Sequence, residues 1–141
     1  MATYNKFNQF VQDLARKVHA LNSDTLKVML TDTAPVATNT IKSNLVDITA
    51  ANGYAAGGSA AAYVSDVDTA GVLKLILSPV VFTAAGGSIA QFRYAVLYND
   101  TPVSPAKPLI AWWDYGAEVN ITNGNSFTVQ LDQTNGVFTL A

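Results

Sequence analysis

A histidine is the usual base beside a catalytic nucleophile, and this chain has only one, His19. Phe7, Phe10, Val11, Leu14, Val18 and Leu21 recur at spacings of three and four. On that helical wheel His19 falls about 130° from the centre of the apolar stripe. It is expected to face solvent, with nothing nearby to complete a Ser-His-Asp triad. Paired carboxylates are the next chemistry to seek. Asp66 and Asp68 are two apart and share a strand face, which suits a hard cation. The surrounding Ser65–Gly71 carries no calcium-loop pattern and no following glutamate, so it reads as a solvated strand end before a turn. Asp114 and Glu118 read as flanking a turn. Gly57-Gly58 and Gly86-Gly87 lead into strands, and neither is followed by the Gly-Lys-Ser/Thr of a phosphate cradle.

The aromatic residues are the remaining chemistry. Trp112, Trp113 and Tyr115 sit on one predicted strand, Tyr94 and Tyr98 on another. Alternation places Trp113 and Tyr115 on one face and Trp112 on the other. Three roles stay open for the tryptophans: sheet packing, a protein interface, or a carbohydrate platform. Asn120-Ile121-Thr122 matches a glycosylation sequon. The N-terminal stretch MATYNKFNQF lacks the basic-then-apolar order of a signal peptide, so the match is read as chance and the chain as made and used without export. The absence of cysteine excludes disulfides, thiolate metal sites and cysteine nucleophiles. The expectation is a protein that is not an enzyme and needs no metal or cofactor.

Charge points the same way. Charged residues are 13% of the chain, against about 25% in a typical soluble domain. The net charge of -2 gives nucleic acid little to attract. No apolar run approaches the ~20 residues of a membrane span. Neither nucleic acid nor membrane is an expected partner. A thrifty soluble domain would account for so few charges; so would a surface covered by neighbours, because near-neutral proteins associate readily.

Elements must hold these residues. A chain of 141 residues fits one domain, 1–141, with roughly 70% of the unfolded surface buried. Residues 1–23 are predicted as an amphipathic N-terminal helix, capped by Thr3 and stopped by Asn22-Ser23-Asp24. Its stripe packs either on the domain's own sheet or on a partner. Residues 24–141 are predicted as a β-sandwich. The period becomes two at Leu26, Val28 and Leu30. Residues 34–60 are irregular, and 50–62, rich in glycine and alanine, reads as a mobile loop. Strands follow at 62–67, 71–77, 80–83, 90–99, 107–115, 126–131 and 137–140. Asn99–Pro102, Asn123-Gly124 and Asn135-Gly136 supply turns, since Asn and Gly tolerate positive φ. The fold class is mainly β, a jelly-roll-like sandwich with one N-terminal amphipathic helix.

One stretch carries a resemblance. It runs Arg93-Tyr-Ala-Val-Leu-Tyr98, then Lys107-Pro-Leu-Ile110 and Trp113-Asp-Tyr-Gly116, then Asn123-Gly-Asn-Ser-Phe-Thr-Val129 and Gly136-Val-Phe-Thr-Leu140. Over residues 90–141 this resembles the cement, or decoration, proteins of short-tailed bacteriophages. The resemblance implies a jelly roll that sits as homodimers on the capsid exterior, is made in the host cytoplasm, and binds the major capsid protein. It carries over no catalytic residue. The expected contact surface is the helix stripe with a tryptophan (Phe7, Phe10, Val11, Leu14, Val18, Trp112, Trp113), with the low-charge loops 34–60 and an exposed sheet edge. Another virion component, in the tail or a head fibre, is the alternative; a carbohydrate-binding module is the third.

Overall fold

The computed structural model describes residues 2–141. The strands are β1 Thr3–Lys6, β2 Leu26–Thr31, β3 Ser59–Ala60, β4 Tyr63–Thr69 and β5 Val72–Leu77. They continue with β6 Val80–Thr83, β7 Ile89–Asn99, β8 Leu109–Ile121, β9 Ser126–Val129 and β10 Phe138–Leu140. Among the described residues there is one α-helix, α1, Gln9–Ala15. A five-stranded antiparallel sheet runs β1-β8-β7-β2-β3; a three-stranded sheet runs β10-β5-β4; β6 and β9 form a pair. The fold is mainly β, as the period-two runs predict.

The predicted helix over 1–23 is corrected to seven residues. Tyr4 to Phe7 alternate as well as they spiral, and β8 leaves a backbone edge to satisfy. Tyr4 pairs with Trp113 and Lys6 with Ala111, and the Phe7 amide continues the ladder to Ile110 O at 3.1 Å. Thr3 is therefore a strand residue and no cap. At the other end, Lys17 N–H donates to Leu14 O and Val18 N–H to Asp13 O. That is the Schellman closure, with Lys17 at φ 62 where glycine is usual. A lysine in that place gives no stop signal in the sequence.

One face of the large sheet presents Leu26, Val28, Leu30, Ala95, Leu97 and Trp113 to the main core, which β5, β6 and β9 close with Leu75, Leu77, Phe82 and Val129. The opposite face presents Met29, Val96, Tyr98, Leu109 and Trp112. Phe7 and Leu45 cover it, with Ala37 at the margin. The irregular segment thus seals the outer face, which explains why β2, β7 and β8 are apolar at successive positions.

Residues 50–62, expected as a mobile loop, are mostly exposed but anchored to the sheet at the buried Tyr54, Gly57, Gly58 and Ala61. The buried Tyr54 hydroxyl accepts from Leu30 N–H at 3.0 Å and donates to Asp47. Asp47 also accepts from Gly57 N–H at 2.6 Å, and Tyr98 OH donates to Gly57 O at 2.6 Å. Burial, with the Asp47 bond second, pushes the Tyr54 phenol far up. Gly58 passes so close to β2 that a Cβ there would lie 1.8 Å from Val28 O. Composition read this glycine as freedom, whereas it permits a close approach.

Candidate docking surface

His19 is buried, not solvent-facing. Because α1 ends at Ala15, the helical phase does not extend to residue 19, and the chain folds back onto the end of β7. Asn99 Nδ2 lies 3.1 Å from His19 Nδ1 and donates to Asp24 Oδ2 at 2.6 Å. With Asn99 donating, Nδ1 accepts and the proton sits on Nε2. Nε2 and Asp13 Oδ2 are both buried without a hydrogen-bond partner. Burial lowers the His19 pKa, and the charges of Asp13 and Asp24 oppose that without reversing it. The cluster pins residues 16–24 to the sheet. The imidazole's one hydrogen-bond partner among the described residues is the Asn99 amide.

The carboxylate pairs are placed differently from each other. Asp66 and Asp68 lie opposite Leu75 and Leu73 on one side of the β4–β5 hairpin, and Asp66 accepts from Tyr63 OH at 2.6 Å. Asp114 and Glu118 do not flank a turn: both lie within β8, which continues to Ile121. Between Phe92/Val119 and Tyr94/Asp114 the register shifts by three residues, a bulge that period-two reading cannot register. Gly116 sits there at φ 80. Asp114 takes a bidentate bond from Arg93, at 2.8 and 3.1 Å, and a third from Gly116 N–H. The Arg93 bond, then the Gly116 amide, hold its carboxyl below the usual range. Among the described residues, no three His, Cys, Asp or Glu side chains are grouped to hold a metal ion.

Most of the predicted contact surface lies inside the protein. Phe7 stacks 4.5 Å from Trp112, centroid to centroid, beneath the irregular segment. Phe10 packs edge-on to Phe138 and His19. Trp113 meets Tyr4 edge-on at 5.8 Å. The tryptophans fall on opposite faces, as alternation requires, and are only 9% and 8% exposed. Neither ring is free as a stacking platform. Of the seven candidates, Val11 is 50% exposed, Leu14 and Val18 are half-buried, and the four aromatic ones are core.

What remains outside is an apolar trough. Tyr4, Val11 and Leu14 form one wall, Val137, Phe138 and Leu140 the other. A second recess shares Tyr4 and Val137 and continues past Tyr115 and Phe127 to Gln130. The trough follows the open side of the sandwich, where β1 of the large sheet faces β10 of the small one. Leu140 is 43% exposed on its rim. Lys6 is the only charged side chain lining the first part and Asp132 the only one lining the second. Sequence reading missed Tyr4, Phe138 and Leu140; the alternation in Val137–Leu140 identified the strand but not what it faces. Beyond the trough the β4–β5 hairpin projects, with Tyr63, Val64, Val67 and Val72 exposed.

No protein-family model matches this chain, and comparison with curated proteins and with solved structures returns no match.

Proposed function

We propose that this chain is a structural virion protein that binds the outer surface of a bacteriophage capsid and bridges neighbouring major capsid subunits, stabilising the expanded shell. The observation that carries the reading is the low-charge apolar trough between β1, α1 and β10. Exposed apolar surface flanked by polar residues marks protein contact sites, and the trough is concave and nearly free of charge. The resemblance over residues 90–141 supports the phage assignment. Its residues fall on β7, β8, β9 and β10, and the antiparallel layers are compatible with a jelly roll.

The mechanism is interface addition. Each copy buries its trough against a capsid subunit, and contact with two subunits at once raises the effective concentration of the second contact. A two-fold pair of copies doubles the contacts symmetrically. No bond is made or broken; the work is apolar burial at about 25 cal/mol per Å².

Co-sedimentation of the purified protein with expanded heads that lack it, followed by cryo-microscopy of the pellet, tests the reading. Saturable density on the shell is the expected result. Absence of binding, with the protein found in whole virions by mass spectrometry, moves it to the tail or a head fibre.

A further inference from the structure

β4 leaves one edge without a strand partner along its whole length. It ends the β10-β5-β4 sheet and pairs only with β5. Proteins usually blunt such edges with short strands, proline, bulges or a covering segment. The other end strands follow that rule: β3 has two residues, β10 three, and β1, β6 and β9 four. β4 has seven, with one irregularity between Tyr63 and Ser65 and regular pairing from Ser65 to Thr69. Six of its seven residues are exposed. On the outer side the Asp66 amide donates to the Tyr63 hydroxyl at 3.1 Å, a local cap that an incoming strand replaces.

Side-chain order decides what can pair there. Asp66 and Asp68 point to one side, and Val67, 44% exposed, points to the other. Neither carboxylate belongs to any ion pair among the described residues. A second copy fits badly in registers centred within the regularly paired Ser65–Thr69. A two-fold antiparallel pair keeps each face on its own side, so only residues of like parity meet across it. Registers centred on 66, 67 and 68 then set Asp66 against Asp66, Asp66 against Asp68, or Asp68 against Asp68. Like charges directly opposite destabilise a strand pair, and opposite charges stabilise it.

We infer that the free edge of β4 is a strand-addition site for an extended segment of another protein, carrying lysine or arginine at two alternate positions opposite Asp66 and Asp68. Main-chain bonds supply the affinity in this mode and alternate side chains supply the choice of partner. The valine side of the incoming segment lies beside Val67, on the face that Val67 shares with Lys74 of β5. The inference rests on the hairpin alone and does not require the capsid reading.

The test uses the full chain and a synthetic hexapeptide, Thr-Lys-Val-Lys-Val-Thr, with two controls: glutamate for lysine, and the two lysines adjacent. Amide shifts and hydrogen exchange are followed by NMR. Saturable shifts and slowed exchange confined to Ser65–Thr69 are expected with the alternating lysine peptide. Binding is expected to weaken about tenfold in Asp66→Asn/Asp68→Asn, whose changes lie on exposed strand and leave the spectrum folded. No saturable change, an equal response to either control, or concentration-dependent β4 shifts from self-association in the free protein would each overturn the proposal.

Discussion

The five-stranded sheet and the β4–β5 hairpin are made of similarly apolar strands, yet one is covered on both faces and the other is largely bare. In the sheet, Val96 and Trp112 lie under Phe7 and Leu45 while Leu97 and Trp113 face the main core. In the hairpin, Leu75 and Leu77 of β5 reach that core, but β4 overhangs it. The difference lies in distant chain: residues 34–48 and the N-terminal strand return to the sheet, and nothing among the described residues returns to β4. Strand composition says that a face wants cover. Topology says whether the chain supplies it or leaves it to a partner.

The sharpest way to break this comparison is a charge in each region. Phe10→Asp sets a carboxylate among Phe138, His19 and the core, so loss of the cooperative melt is expected, at a cost of about 4 kcal/mol or more. Val67→Asp, on the bare hairpin, is expected to change stability by no more than about 0.5 kcal/mol. Circular dichroism melts check both; a folded Phe10→Asp would return the helix stripe to the surface. The outer cover is tested next. Trp112→Ala opens a cavity beneath Phe7 and is expected to cost about 3–5 kcal/mol in urea unfolding. Val36→Ser, on the exposed side of the same segment, is expected to be near neutral.

A smaller effect is pH-dependent. The folded His19 pKa lies below 6.5, so the unfolded chain takes up the proton first as pH falls. Stability is full above the unfolded pKa, declines as pH drops through 6.5, and levels off below the folded value. His19→Gln is expected to flatten that slope. The carboxylates held low by hydrogen bonds, Asp114 by Arg93 and Asp132 by the Asn135 amide, act in a separate window. Their contribution is present above pH 3.8 and is lost below it. Smallest are two turn substitutions. Lys17 and Ala70 adopt φ 62 and 53, where an L side chain costs about 1–2 kcal/mol. Lys17→Gly and Ala70→Asn are each expected to stabilise the fold by about 1 kcal/mol or less, read as a higher melting midpoint.

Strand positions were largely legible because turn residues with known φ preferences punctuate them; β6 matches residue for residue, and the alternation at Leu26, Val28 and Leu30 falls on β2. What escaped depends on partners far away in sequence. Tyr4 to Phe7 became a strand because β8 offered an edge. His19 is buried because Lys17 ended the helix without a glycine to announce it. Gly57 and Gly58 are packed because β2 and Tyr98 come to meet them. The contact residues were misplaced for the same reason: the stripe's aromatic members are buried, Phe10 forms the floor of the trough, and only the aliphatic Val11 with Leu14 offers exposed surface there.

The most direct test of the docking account is co-sedimentation with expanded heads of the wild-type protein against Val11→Asp/Leu140→Asp. Both positions are exposed on the trough, so the variant is expected to melt like wild type. The account predicts that it loses saturable binding to the shell while Val36→Ser retains it. A variant that binds heads as tightly as the wild type would contradict the trough as the contact surface.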